Sequence, residues 1–273
     1  MPWGVFLYLY FVHKNKFMKN LKFVSVIIIL IMTGSLVLMA QNNQPKPTPE
    51  QQQALKNAAE ERFHNDWANL ARFHDENTKI GQPAPGEKRI VFMGNSITEG
   101  WSRIDSVFFS GRPYVNRGIS GQTTPQMLIR FRPDAINLKP AVIVILAGIN
   151  DIAGNTGPST LEMIEDNLAS MIDLAKINGI PVVLSSVLPA FDFPWHPGMQ
   201  PAEKVVKLNV WIRNYAESKG CVYLDYFTPM ADKRNGLKEE LTFDGVHPNL
   251  AGYKVMEPLV ESAIKKALNM QPK

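Results

Sequence analysis

From Arg89 onward, short apolar runs alternate with longer amphipathic stretches, and this alternation limits the possible folds more than any other feature of the chain. Strands are expected near residues 89–93, 113–117, 141–147, 181–187 and 221–225. The helical patterns fall near 98–107, 123–136, 159–178, 201–218 and 249–268. Ala141-Val-Ile-Val-Ile-Leu-Ala147 contains no polar residue, which suits a strand buried on both faces. Over 201–218, Pro201 opens the pattern, Val205, Leu208, Ile212 and Tyr215 share one face, and Gly220 lies just past the end. Strand–helix repetition of this kind predicts an α/β fold. The expected form is a three-layer α/β/α sandwich with a central, mostly parallel five-stranded sheet. Sites in such sheets form outside the carboxyl ends of the strands.

Three of those ends carry small or polar motifs: Gly94-Asn-Ser96, Gly118-Ile-Ser-Gly121 and Gly148-Ile-Asn-Asp151. Turn chemistry explains any one of them, but three together call for a further reason. Ser96 stands where the chain turns from strand to helix, beside the free N–H groups of a helix start. Near the other terminus, Phe243-Asp-Gly-Val-His-Pro248 sets Asp244 and His247 three residues apart ahead of the last helix, with Pro248 in its first turn. A serine, a histidine and a carboxylate are the parts of a nucleophilic triad, whatever their order along the chain. Ser96 is the expected nucleophile, His247 the base and Asp244 the group that orients it. Attack on an ester carbonyl creates an oxyanion, and each fixed donor that meets it is worth about 3 kcal/mol. The Ser96 and Gly118 backbone N–H groups and the Asn150 side-chain amide are the expected donors. Three rivals receive structural readings. Asp151 fixes its loop or caps the following structure, Asp225 anchors a loop, and Ser120 shapes the Gly118 turn.

On these blocks (Gly94-Asn-Ser96, Gly118, Gly148-Ile-Asn-Asp151 and Asp244-Gly-Val-His247) the chain resembles the SGNH (GDSL-type) esterases and lipases. The resemblance implies a flavodoxin-like SGNH hydrolase fold. It also implies hydrolysis of carboxylic esters through an acyl-serine intermediate, without metal or cofactor. Exported members of that family often resemble carbohydrate O-acetylesterases, so acetylated carbohydrate is the first substrate expected. A lysophospholipase or short-chain lipase is the alternative, and a carbohydrate-binding protein of the same fold without turnover is a third reading. One departure stands out: the family's usual aspartate before the serine is Asn95, a near-isostere able to keep a turn hydrogen bond. The Gly-x-Ser-x-Gly elbow of the α/β-hydrolases is absent, since position 98 is threonine.

The net charge of +4 does not indicate a nucleic-acid partner. Residues 1–40 hold Lys14, Lys16, Lys19 and Lys22 and no acid, so the remainder carries 25 basic and 25 acidic residues. Met18 to Lys22 form a basic n-region, Phe23 to Met39 an apolar h-region, and Ala40 a cleavage point, which together predict a leader over 1–40 and export. Met18 is an alternative start, and an uncleaved leader would be the sole membrane attachment. A polar, Pro-rich linker spans 41–49, and one hydrolase domain is expected over 50–273, opening with a helix over 50–74. That helix would pack its stripe of Leu55, Ala59, Phe63, Trp67 and Leu70 on the side of the sheet, or serve as a lid or dimer contact. Oligomeric state is not legible. Cys221 is the single cysteine and is read as a small core residue; the five histidines show no metal-ligand spacing. Trp101, five residues past the serine, and Trp195, in the aromatic loop Pro189 to Gly198, are the expected substrate contacts.

Overall fold

The computed structural model describes residues 48–270, so the expected leader and all but the last two residues of the expected linker lie outside the described residues. The chain divides into a unit ending at Ala59 and a unit from Glu60 onward. In the first, residues 48–59 begin helix α1 (Pro49–Asn65). Thr48 caps it reciprocally with Gln51, its hydroxyl accepting from the Gln51 N–H at 3.2 Å while Gln51 Oε1 accepts from the Thr48 N–H at 2.9 Å.

The expected continuous helix over 50–74 is not formed. Asp66 accepts from the Leu70 N–H at 2.7 Å and the Ala71 N–H at 2.9 Å, which starts a new turn in place of the old one. Asn69 adopts a left-handed φ of 57°, which no helix interior accommodates. A short 3-10 turn (Leu70–Phe73) and helix α2 (His74–Ile80) follow. Of the predicted stripe, Phe63 is 51% and Leu70 42% exposed, and Trp67 is half-buried. Ala68 and Phe73 are the buried apolar residues of this stretch.

The second unit then alternates as expected. Strand β1 (Ile90–Gly94) leads into α3 (Ser96–Ile104) and the short α4 (Ser106–Phe109). Next come β2 (Tyr114–Gly118), α5 (Thr124–Asp134), β3 (Val142–Leu146), the one-turn α6 (Ile149–Ile152) and α7 (Leu161–Ile177). The chain closes with β4 (Val182–Ser185), α8 (Ala202–Lys219), β5 (Val222–Leu224), the short α9 (Phe227–Met230) and α10 (Leu250–Leu268). All pairings within the five-stranded sheet are parallel and the order is β2-β1-β3-β4-β5.

Strand side chains alternate between two cores. Val91, Met93, Ile143 and Ile145 pack with Phe131, Leu168 and Leu208 from α5, α7 and α8. Ile90, Phe92, Val142 and Val144 pack with Ile97, Trp101, Tyr253 and Val260 from α3 and α10. The chain leaving β1 therefore crosses one face and the chain leaving β3 the other, although the two strands are hydrogen-bonded neighbours. This divergence opens a crevice at their carboxyl ends, the usual place for a site in an open α/β sheet.

Candidate active site

Ser96 is the first residue of α3, directly after β1. Asn95 caps that helix, its side chain accepting from the Ile97 N–H at 3.0 Å, so the isostere keeps the turn bond as expected. Its buried Nδ2 has no hydrogen-bond partner among the described residues. The Ser96 N–H is not used by the helix and makes no hydrogen bond among the described residues.

His247 precedes Asn249, the N-cap of α10, which accepts from the Gly252 N–H at 3.0 Å. Pro248 thus lies just outside the helix rather than in its first turn. Ser96 Oγ lies 3.0 Å from His247 Nε2, and His247 Nδ1 lies 2.7 Å from Asp244 Oδ2. An ionised carboxylate only accepts, so Nδ1 carries the proton and Nε2 is left to accept from the serine. Asp244 also accepts at Oδ1 from the N–H groups of Val246 at 3.0 Å and His247 at 2.8 Å. Burial disfavours its charged form, but these bonds and the imidazole outweigh burial and hold the carboxyl below its ordinary value. Thr242 fixes the loop, its hydroxyl donating to the His247 carbonyl at 2.8 Å. The buried Tyr253 hydroxyl donates to the Ile97 carbonyl at 2.8 Å, tying the helix after the histidine to the helix that begins with the serine. Sequence reasoning missed this link, since nothing in the pattern of the last helix singles out Tyr253.

The expectation for Gly118 needs correction. Its N–H already donates to Asn116 Oδ1 at 2.9 Å, so it is not a free donor. A Cβ there would meet the Glu99 backbone nitrogen at 2.1 Å, which makes Gly118 a close-packing glycine against α3. Gly121 fits better. It has a φ of +76°, and its N–H makes no hydrogen bond among the described residues. The Asn150 amide donates to the carbonyl of the adjacent Gln122 at 3.0 Å, which fixes its orientation and leaves its second N–H. The Gly-Ile-Ser-Gly repeat of glycines was the available signal, and its second glycine is the one with an unused donor.

Arg130, unmarked in the sequence, sits at the back of this arrangement with no exposure. It donates to the Gly94 carbonyl at 3.0 Å and to Gln122 Oε1, and it pairs with Asp134 at 3.2 Å. Burial pulls its guanidinium down to about 10 against the opposing charge of Asp134. One side chain thus joins the turn before Ser96 to the turn that anchors Asn150.

The rivals take structural roles. Ser120 donates from its hydroxyl and its N–H to Glu99. Asp225 accepts from the Thr228 N–H at 2.9 Å and pairs with Arg213 at 3.3 Å. Buried Asp151 accepts from the Thr124 N–H at 2.9 Å and its hydroxyl at 2.6 Å, holding the start of α5. Replacing Asp151 by alanine strands those donors, so a loss of about 2–3 kcal/mol is expected in denaturant unfolding. Burial raises the Asp151 carboxyl against the Thr124 hydrogen bonds. A raised acid favours the folded state at low pH and loses that contribution as pH climbs through the window between its unfolded and folded values. Cys221 is half-buried, and burial raises its thiol.

Trp101 corrects a second expectation. It is 2% exposed, stacked on Phe108 at 4.7 Å and Tyr253 at 5.2 Å, and meets no cleft. The spacing Ile97, Trp101, Ile104 along α3 was the signal for a core position. Trp195 is 40% exposed, with its ring 5.8 Å from the His247 imidazole and stacked on Phe193 at 5.2 Å. Among the described residues, no group of three or more His, Cys, Asp or Glu is placed to hold a metal ion.

Comparison with known proteins gives a consistent picture. A family model described as GDSL-like lipase/acylhydrolase matches residues 92–255. The solved structure of a GDSL-like lipase from Bacteroides thetaiotaomicron is 48% identical, covers 74% of this chain and 100% of its own, and superposes with a TM-score of 0.72. A proposed acylhydrolase from Bacteroides fragilis is 45% identical over 75% of this chain and 100% of its own, with a TM-score of 0.73. An acetylxylan esterase from Xylanibacter ruminicola is 26% identical over 222 residues, which are 67% of this chain but 45% of that longer protein.

Proposed function

This chain belongs to the GDSL-like lipase/acylhydrolase family, a family of carboxylic ester hydrolases, and on that premise we propose an exported serine esterase that removes O-acetyl groups from carbohydrate. The observation that carries the reading is the unbroken chain from Ser96 through His247 to Asp244, with the exposed Trp195 ring beside the imidazole. His247 Nε2 takes the Ser96 proton as Oγ attacks the ester carbonyl. The developing oxyanion meets the Ser96 and Gly121 N–H groups and the Asn150 amide. The imidazolium, stabilised by Asp244, gives its proton to the departing alcohol and leaves an acyl-serine. Water then attacks with His247 as base, releasing the acid and restoring Ser96.

The aromatic surface next to the imidazole favours a sugar, because pyranose faces stack on indole. The acetylxylan esterase among the relatives points the same way. Export rests on the basic and apolar leader pattern over residues 1–40. Among the described residues no helix is long and apolar enough to cross a membrane. A lipid ester is the second reading, favoured by the 48% identical GDSL-like lipase.

Nitrophenyl esters of increasing acyl length, assayed beside acetylated xylan, separate the two. The expected result is turnover on acetyl esters and on acetylated xylan, falling steeply beyond short acyl chains. A preference for long chains would move the substrate to lipids.

A further inference from the structure

A cavity of about 310 Å³ opens beside Asp244 and is unused by the chemistry above. Its walls include Phe191, Pro197, Arg234, Leu237, Asp244 and Gly245, but neither Ser96 nor His247. Asp244, which holds His247 Nδ1 at 2.7 Å, is one wall of the cavity. His247 must hand its proton to the leaving oxygen, so the alcohol half of the ester lies on the histidine side of Ser96. A cavity one side chain further out on that side is placed for what is attached to that alcohol.

The lining suits a sugar. The Arg234 guanidinium sits 4.5 Å over the Phe191 ring, and both side chains reach solvent, at 66% and 43% exposure. Arg234 is presented by a rigid turn in which Asp232 accepts from the N–H groups of Arg234 at 2.7 Å and Gly236 at 2.8 Å. That turn lies directly against the aromatic loop, since a Cβ on Gly236 would meet Phe191 Cβ at 2.9 Å. The neighbouring carboxylates are engaged. Asp192 accepts from the Gly198 and Met199 N–H groups, and Asp244 serves the His247 loop. The Arg234–Asp232 contact at 3.3 Å is an exposed pair and holds the guanidinium weakly. Three nearby carboxylates against one guanidinium disfavour an anionic ligand. An aromatic wall with a spare guanidinium donor and carboxylate rims matches the hydroxyls and flat faces of a neutral pyranose.

We propose, resting on the carbohydrate-ester reading, that this cavity is a subsite for a neutral sugar unit next to the one bearing the ester, with Arg234 and Phe191 as its specificity-determining residues. The enzyme then reads a stretch of polysaccharide rather than a single acetylated sugar.

Two measurements test this. The first compares kcat/KM on acetylated xylo-oligosaccharides of increasing length with kcat/KM on nitrophenyl acetate. The second titrates unacetylated xylohexaose into the Ser96→Ala protein by calorimetry. Efficiency is expected to rise with oligosaccharide length. Arg234→Ala and Phe191→Ala are each expected to cut the preference for the long substrate over nitrophenyl acetate roughly tenfold, the worth of one charge-assisted contact, and to weaken xylohexaose binding similarly. No gain with length, or equal losses on both substrates, would overturn the subsite while leaving a deacetylase. Xylohexaose binding that depends on Arg234, without turnover of any acetylated glycan, would keep the subsite and remove the deacetylase reading.

Discussion

Replacing Ser96 by alanine is expected to lower kcat on any accepted ester by roughly a thousandfold or more, with the fold intact. The Ser96 hydroxyl makes its hydrogen bond to His247 Nε2, so its removal strands no backbone group and the N-cap bond of Asn95 to Ile97 survives. What is lost is the nucleophile, and no neighbouring hydroxyl can replace it, because Ser120 is bound to Glu99. His247→Ala is expected to cost about as much, since an unassisted serine hydroxyl is a weak nucleophile at neutral pH. Residues acting as one unit are strongly non-additive, so the double variant should be little worse than either single one. Asp244→Ala should cost less, because the nucleophile and the base both remain although His247 loses the partner that fixes its tautomer and its loop. Steady-state kinetics on nitrophenyl acetate, with circular dichroism to confirm folding, checks the series. A Ser96→Ala protein with near-native turnover would remove the acyl-serine mechanism.

The layers and sheet were legible because the central strands β1, β3 and β4 announce themselves as apolar runs and the helices between them by their stripes. Periodicity reports which residues are buried, and burial decides an α/β sandwich. The serine, histidine and aspartate were legible for another reason: each stands at a strand end or ahead of a helix, where side chains point into the crevice. The misses share a cause, which is that local pattern does not say which way a group faces. The sequence marks Gly118 as the donor, and only its bond to Asn116 turns the role towards Gly121, three residues on. Trp101 follows the nucleophile closely, yet one turn of helix rotates it into the core beside Phe108. The helix expected over 50–74 was broken by the side chain of Asp66, whose hydrogen bonds compete with helix continuation at no visible cost to the apolar period. Arg130 was invisible because its role depends on the Gly94 and Gln122 groups it reaches across the fold.

Asn150→Ala is expected to lower kcat by about a hundredfold to a thousandfold while KM changes little, the signature of a donor used chiefly in the transition state. The amide is suited to this role because it is already oriented. One N–H is spent on the Gln122 carbonyl at 3.0 Å, and that carbonyl belongs to the turn carrying the free Gly121 N–H. Arg130 ties the Gln122 side chain to the Gly94 carbonyl ahead of Ser96, so the donors share one buried scaffold and need little reorganisation when charge develops. A purely structural role for Asn150 predicts something different: a raised KM and a lowered melting temperature along with the loss of kcat. Asn150→Asp keeps the shape but puts an acceptor and a negative charge where the oxyanion forms, so it should be at least as damaging as alanine. Gly118→Ala is no substitute for this test, because its Cβ would strike the Glu99 backbone nitrogen at 2.1 Å and report packing instead. If Asn150→Ala leaves kcat within a few-fold of the native value, the oxyanion must be met by backbone N–H groups alone, and the Asn150 amide serves only to hold the Gln122 turn.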